Sequence, residues 1–205
     1  FYGFERVIES YELPDKPYRF KPIDIYYHSY IVSKTASLNS LHKVYQWALK
    51  QPVFPIYSSE YIKKVLDFND FVIARTPEGY RFRGNGDLKT VRWTDEKNHI
   101  NFADSPQVAG FNRYNGQNYV HLLASNTDLV TQSANNTLPY VESTNARINR
   151  FARSKNALDL SLTGYQPISI TFANASKCQL LQGSKNLAIT RQGHRLHLEE
   201  IGRAH

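Results

Sequence analysis

A histidine closes an aromatic run, "IDIYYHSY", at residues 23–30. With a side-chain period of two, Asp24, Tyr26, His28 and Tyr30 share one face of a strand, and Ile23, Ile25 and Tyr27 share the other. One face is apolar and the other polar and aromatic. An imidazole at the C-terminal end of such a strand occupies the position where β/α barrels keep their catalytic groups. It could protonate a leaving group or hold a metal ion. The same pattern also suits a histidine hydrogen-bonded among tyrosines at a polar strand tip, and spacing alone leaves both readings open.

Other candidate residues carry less. His194 and His197, three apart on a predicted strand, point to opposite faces and could not chelate one ion. His42 falls on a predicted helix, and His99 and His121 in the predicted sandwich. The single Cys178 excludes an internal disulfide and a cysteine-based zinc cluster. "GNG" at residues 84–86 is too short for a phosphate loop and reads as a hairpin turn. Trp93, in "VRWTD" near Arg81 and Arg83, could stack on a sugar ring or fill a core. Arg147, Arg150, Arg153 and Lys155, in "NARINRFARSK", could contact a polyanion or form a solvated basic face.

The elements that must position these residues fall into two textures. After the strand at 23–28, a helix capped by Ser37 runs to about Lys50, with Leu38, Leu41, Val44, Tyr45, Ala48 and Leu49 at helical spacing. Pro52 and Pro55 end it, and "FPIY" reads as a second buried strand. Ser58 or Ser59 then caps a helix whose packing side is Tyr61, Ile62, Val65 and Leu66. Trp47 sits beside apolar positions of the first helix and reads as packing.

Beyond residue 69 the pattern becomes short strands and turns. "TPEG" and "NGQ" signal hairpins, the polar stretch 125–145 reads as a long loop, and strands resume as "LDLSL", "ISITFA", "CQLLQG", "LAITRQG" and "RLHLEE". The expected fold class is α+β: a short strand-helix segment over 1–69, followed by an antiparallel β-sandwich over 70–205. Two strands and two helices cannot cover both faces of a parallel sheet, so residues 1–69 read as the closing units of a larger β/α domain.

Composition agrees with a folded, strand-rich chain. Hydrophobic residues make up 41% of the 205, and 14 Tyr and 11 Phe favour strands. Lysine and arginine outnumber acids by 25 to 18, giving a net charge of +7. The cations are scattered, so nucleic-acid binding is not expected. No apolar stretch approaches the roughly 20 residues of a membrane span, and no charged-then-apolar leader opens the chain. There is no methionine, which leads to the expectation that the natural N-terminus lies upstream of Phe1.

The run from "ERVIESYELPDKPYRF" through "KPIDIYYHSYIVSKTASLNSLHKVYQWALKQPVFPIYSSEYIKKVLDF" resembles the end of the deacetylase domain of the Pel-type exopolysaccharide deacetylases. The resemblance is carried by residues 5–68 and thins out beyond about 124. The order Ile25 to His28, then Ser37 and Leu38, is similar to the family's last barrel strand, its loop and the start of the next helix. The resemblance implies a metal-dependent N-deacetylase of an amino-sugar polymer, working in the periplasm or secreted, in which His28 is the general acid on the departing amine. Tyr26, Tyr30 and Trp93 would be substrate-binding.

The family's metal ligands, an aspartate pair and two histidines, precede the last strand. The expectation is therefore no cofactor in this chain, and a divalent metal such as zinc in the intact parent enzyme. The implied partners are a polysaccharide and exopolysaccharide secretion proteins. Deacetylation leaves a cationic polymer, which a basic domain repels; the neutral acetylated substrate or another protein fits it better. A polysaccharide- or partner-binding β-sandwich without catalysis is the alternative reading.

Overall fold

The computed structural model describes residues 3–15, 21–51, 53–94, 98–114, 116–154 and 157–201. The chain divides into two compact units, Phe1–Val53 and Phe54–His205.

The first unit contains helices α1 (Val7–Glu12) and α2 (Thr35–Leu49), with an extended stretch, 22–28, and a 3-10 turn, Ser29–Ser33, leading into α2. The stripe Ser37, Leu41, Val44 and Ala48 is the buried face of α2, as its periodicity requires. Lys34, and not Ser37, occupies the N-cap position. Trp47 is a packing residue with a polar handle: its ring stacks on Tyr11 at 5.8 Å, and its indole N–H donates to Glu12 Oε1 at 3.1 Å. Glu5, in the 3-10 turn before α1, ties that turn to α2 by accepting from Ser40 and from Lys43.

Two expected strands are not strands. Residues 22–28 are extended, with His28 at φ −90° and ψ 141°, but they join no ladder. Residues 54–57 pair with nothing either. Alternating side chains set a local conformation; a strand also needs a hydrogen-bonding neighbour, which none of the described residues supplies to either segment.

The second unit begins with helix α3 (Ser58–Asp70). Tyr57 is its N-cap, and Glu60 accepts from the Tyr57 N–H at 3.3 Å. The expected packing face of α3 is inverted. Tyr61, Ile62, Val65 and Leu66 are exposed, whereas Asp67 is buried and Glu60 and Lys64 are half-buried.

Strands follow in chain order as β1 (Val72–Thr76), β2 (Gly79–Arg83), β3 (Thr90–Trp93), β4 (His99–Ile100), β5 (Val108–Tyr114), β6 (Gln117–Leu122) and β7 (Thr127–Gln132). The next are β8 (Tyr140–Thr144), β9 (Arg147–Arg153), β10 (Leu158–Thr163) and β11 (Ile168–Ala173). Four more close the unit: β12 (Leu181–Gln182), β13 (Lys185–Asn186), β14 (Thr190–Gln192) and β15 (Arg195–Ile201).

Among the described residues every pairing is antiparallel, so the fold is α+β with a strand-rich, sandwich-like body. "TPEG" and "NGQ" make the expected tight hairpins, β1–β2 and β5–β6, with Gly116 at φ 78° in the second turn. The predicted loop 125–145 instead contains all of β7 and β8. In β7 Thr127 and Leu129 are buried, while its other side chains are only partly so, and that polar alternate face gives a strand the composition of a loop.

The sheets build two cores. In the first, Phe82, Ile100 and Leu129 from the sheet β1-β2-β7-β4 meet Val91, Trp93, Val108, Val120 and Leu122 from the sheet β3-β6-β5. In the second, Val141, Ile170, Phe172, Leu196 and Leu198 from the sheet β8-β11-β15-β14 meet Ile148 of the pair β9-β10, with Leu158, Leu160 and Leu162 packed alongside. The cores are joined at an irregularity in β5. Between Val108 and Gly110 the register with β6 shifts, and Ala109, fully buried, belongs to the second core.

Arg153 fastens that junction. Its guanidinium donates to the carbonyls of Val108 at 3.2 Å, Ala109 at 3.0 Å and Pro139 at 3.2 Å, and lies over the rings of Phe102 and Phe151. Burial lowers its pKa to about 10, so it remains a cation at neutral pH. Gly110 permits the same approach. A Cβ there would sit 1.9 Å from the Val141 carbonyl oxygen on β8. Replacing Gly110 with alanine should therefore part β5 from β8 and cost roughly 3 kcal/mol, read as a lowered urea midpoint; an unchanged midpoint would show that the two strands can separate freely.

Candidate functional site

Of the four residues singled out from the sequence, the structure brings three together. His28 is exposed, its ring stacked on Tyr30 at 5.2 Å with an interplanar angle of 12° and edge-on to Tyr26 at 5.2 Å. Extended backbone through residue 28 gives Tyr26 and His28 the common side that their spacing predicts, and the 3-10 turn swings Tyr30 beside them. The Tyr11 hydroxyl donates to the Asp24 carbonyl and pins the start of this stretch to α1. Tyr27 points elsewhere and meets Tyr45 of α2 edge-on.

Trp93 is a correction. Its side chain is 7% exposed, against 72% for Tyr26, and it packs in the first core with Val91 and Phe102. A stacking platform needs a ring face at the surface, and on β3 the inward alternation takes Trp93 with Val91. The residues of the basic run have separate partners. Arg147 pairs with Glu60, Arg150 with Asp159 at 2.6 Å, and Arg153 is committed to the core junction. On β9 these side chains are parted between faces. Lys155 lies outside the described residues, as does Pro52.

A second site was not singled out from sequence. A cleft of about 600 Å³ lies within the second unit, walled by α3, the segment from Gly86 to Lys89, the outer face of the β3-β6-β5 sheet, and β8 with β9. The floor comes from strand alternation: Val120 and Leu122 enter the core, which turns Tyr119 and His121 outward into the cleft beside Thr90 and Asn112. That much is written in "NYVHLL". The walls are not, because they come from other elements 20 positions and more away.

The α3 wall is held by one carboxylate. Asp67 Oδ1 accepts from the Asn85 N–H at 2.6 Å, and Oδ2 accepts from the N–H groups of Asp87 at 3.0 Å and Leu88 at 2.7 Å. Desolvation pushes the Asp67 carboxyl up, but these backbone donors outweigh it and the net shift is downward, so it is ionised. "GNG" is thus not a hairpin turn. β2 and β3 do not pair, and the loop between them wraps the chain's own anion. Gly84 is needed for closeness, since a Cβ there would meet Phe71 at 2.5 Å and Asp67 at 3.0 Å.

Around the floor, Lys64 is half-buried and donates to the Asp87 carbonyl at 2.7 Å. Burial, then repulsion from Lys89 and Arg147, lowers its pKa. His121 is largely enclosed, with Thr90 Oγ1 3.4 Å from Nδ1. Burial, assisted by Lys89 and Lys64, lowers its pKa to about 4, so the imidazole is neutral at physiological pH. Arg147 and Glu60 bridge the mouth as an ion pair, and Glu142 is held by a two-pronged contact from Arg195, each at 2.6 Å.

Among the described residues there is no group of three or more His, Cys, Asp or Glu side chains able to hold a metal ion, and no helix long and apolar enough to cross a membrane. His28 has the rings of Tyr26 and Tyr30 as its neighbours. No protein-family model, curated protein or solved structure matches the chain.

Two outcomes follow from the cleft's construction. Asp67→Ala strands three backbone donors and should cost roughly 3 kcal/mol, with faster amide exchange at Asn85, Asp87 and Leu88; protection equal to wild type would mean that Asp67 does not hold the loop. For His121, the unfolded imidazole binds its proton near pH 6.5 and the folded one only near 4. The unfolded chain therefore takes up the proton first as pH falls, and stability is full above pH 6.5 and declines below it. The loss should reach roughly 2 kcal/mol by pH 5. His121→Gln should flatten that slope in urea titrations, and an identical slope would place the imidazole in water.

Proposed function

We propose that the chain is the C-terminal portion of a polysaccharide N-deacetylase acting on an acetylated amino-sugar exopolysaccharide in the periplasm or outside the cell. The observation that carries this reading is the exposed His28 between Tyr26 and Tyr30, each ring centroid 5.2 Å away. Two aromatic rings offer apolar faces to a sugar ring, and an imidazole between them is placed to serve the group that leaves. The likeness of Ile25–His28, Ser37 and Leu38 to the end of a deacetylase domain supports the same assignment.

Hydrolysis of an acetamide breaks the carbonyl-carbon-to-nitrogen bond, and the amine departs only when its nitrogen takes a proton. His28 supplies that proton, while Tyr26 and Tyr30 hold the sugar against it. Attack on the carbonyl belongs to residues outside this sequence, as does any divalent metal, so the chain is inactive by itself. Exopolysaccharide secretion proteins are the natural protein partners of such an enzyme.

A second reading, a polysaccharide- or partner-binding β-module without catalysis, is favoured by the cleft. It has the volume of a ligand site, and Tyr119 takes the stacking role that buried Trp93 cannot fill.

His28→Ala decides between them when made in the protein encoded by the whole reading frame that contains these residues. On the first reading, deacetylation of an acetylated amino-sugar oligomer falls by roughly 100-fold or more with an unchanged melting temperature, and Tyr30→Ala raises KM more than it lowers kcat. Activity within threefold of wild type would sink the catalytic role.

A further inference from the structure

We infer that the cleft in the second unit is a binding site for an acidic saccharide, one whose sugar rings carry carboxylates. The inference rests on the binding-module reading of that cleft and names its ligand. Its first support is the charge left over after internal pairing. Of the acids lining the cleft, Glu60 is neutralised by Arg147 and Glu142 by Arg195. What remains is Lys63, Lys64 and Lys89 against Asp87 alone.

The three ammonium groups reach the cleft from two separate elements, α3 and the segment before β3, that Asp67 clamps together. Bringing like charges to one partly desolvated wall is unfavourable unless an anion joins them. Lys64 has its carbonyl partner on Asp87, while neither Lys63 nor Lys89 has an ion-pair partner among the described residues.

The second support is the character of the remaining walls. Tyr119 presents an aromatic ring, and Asn112 and Ser143 present amide and hydroxyl groups. A ring that stacks on the C–H face of a sugar, beside short polar groups that meet its hydroxyls, suits a carbohydrate better than a bare inorganic anion. A volume of about 600 Å³ takes a short oligosaccharide. The cationic wall also disfavours a deacetylated, positively charged amino-sugar polymer, so the cleft's ligand differs from the product of the chemistry assigned to His28.

The test is calorimetric titration of the 205-residue chain at low salt with three oligosaccharides of equal length: an oligogalacturonate, a neutral chito-oligosaccharide and its deacetylated, cationic form. A poly-glutamate peptide serves as a non-sugar polyanion. The inference expects the oligogalacturonate to bind at least tenfold tighter than any of the other three. Lys63→Gln with Lys89→Gln should weaken it about tenfold, and Tyr119→Ala separately should weaken it, each with an unchanged melting temperature.

If the oligogalacturonate binds but both variants bind as well as wild type, the site is elsewhere and the inference fails. Equal binding of poly-glutamate overturns the saccharide assignment. Equal or tighter binding of the neutral oligosaccharide overturns charge selection while leaving the cleft a binding site. Should none of the oligosaccharides bind, the inference falls together with the saccharide-binding reading beneath it.

Discussion

One buried carboxylate decides how the second unit is assembled. Desolvation raises the pKa of Asp67, yet the net shift is downward, because three backbone N–H groups of one loop converge on its two oxygens. Each of those donors would otherwise be left without a partner as the chain crosses from one sheet to the other. The interaction fixes the rotation of α3 about its own axis. With Asp67 inward, Lys64 and Glu60 must also face the sheets, and the apolar residues Ile62, Val65 and Leu66 must face out. The cationic wall of the cleft and the exposed apolar side of the helix are two consequences of the same constraint.

Arg153 performs a comparable task between the two cores. An irregularity in β5 turns Ala109 out of the first core and into the second, and the neighbouring carbonyls are met by a guanidinium that reaches across from β9. Its planar fork can serve three carbonyls while its faces rest on Phe102 and Phe151, which an ammonium could not do. In both places an ion is buried against backbone and not against an opposite charge. The resulting contacts depend on loop and strand geometry, which gives them direction as well as energy.

The two candidate sites differ in how they are held. His28 and its tyrosines are exposed and lie on backbone outside any ladder, so their arrangement depends on ring-ring contacts and on the Tyr11 hydroxyl. The cleft is built on a sheet, a clamped loop and a helix, and its polar side chains are mostly fixed by partners. A rigid pocket of this kind favours selective binding, whereas a solvent-facing histidine favours proton transfer to a substrate that arrives with its other contacts supplied elsewhere.

Residue spacing by itself determined the local features. It marked α2 and its buried stripe, the hairpins at "TPEG" and "NGQ", the strand-rich second half, and the shared side of Tyr26 and His28, because each depends on neighbours within a few positions. What it could not decide was which face of α3 is buried, whether Trp93 reaches solvent, which arginines of "NARINRFARSK" are free, and that "GNG" encloses a carboxylate. Those outcomes turn on partners far along the chain: Asp67 with Leu88, Arg147 with Glu60, Arg153 with Val108. For α3 the apolar stripe gave the wrong orientation, since burying Ile62 and Leu66 would have left three backbone donors unsatisfied. An extended segment at 23–28 was legible, but a strand was not, because pairing belongs to the fold and not to the segment.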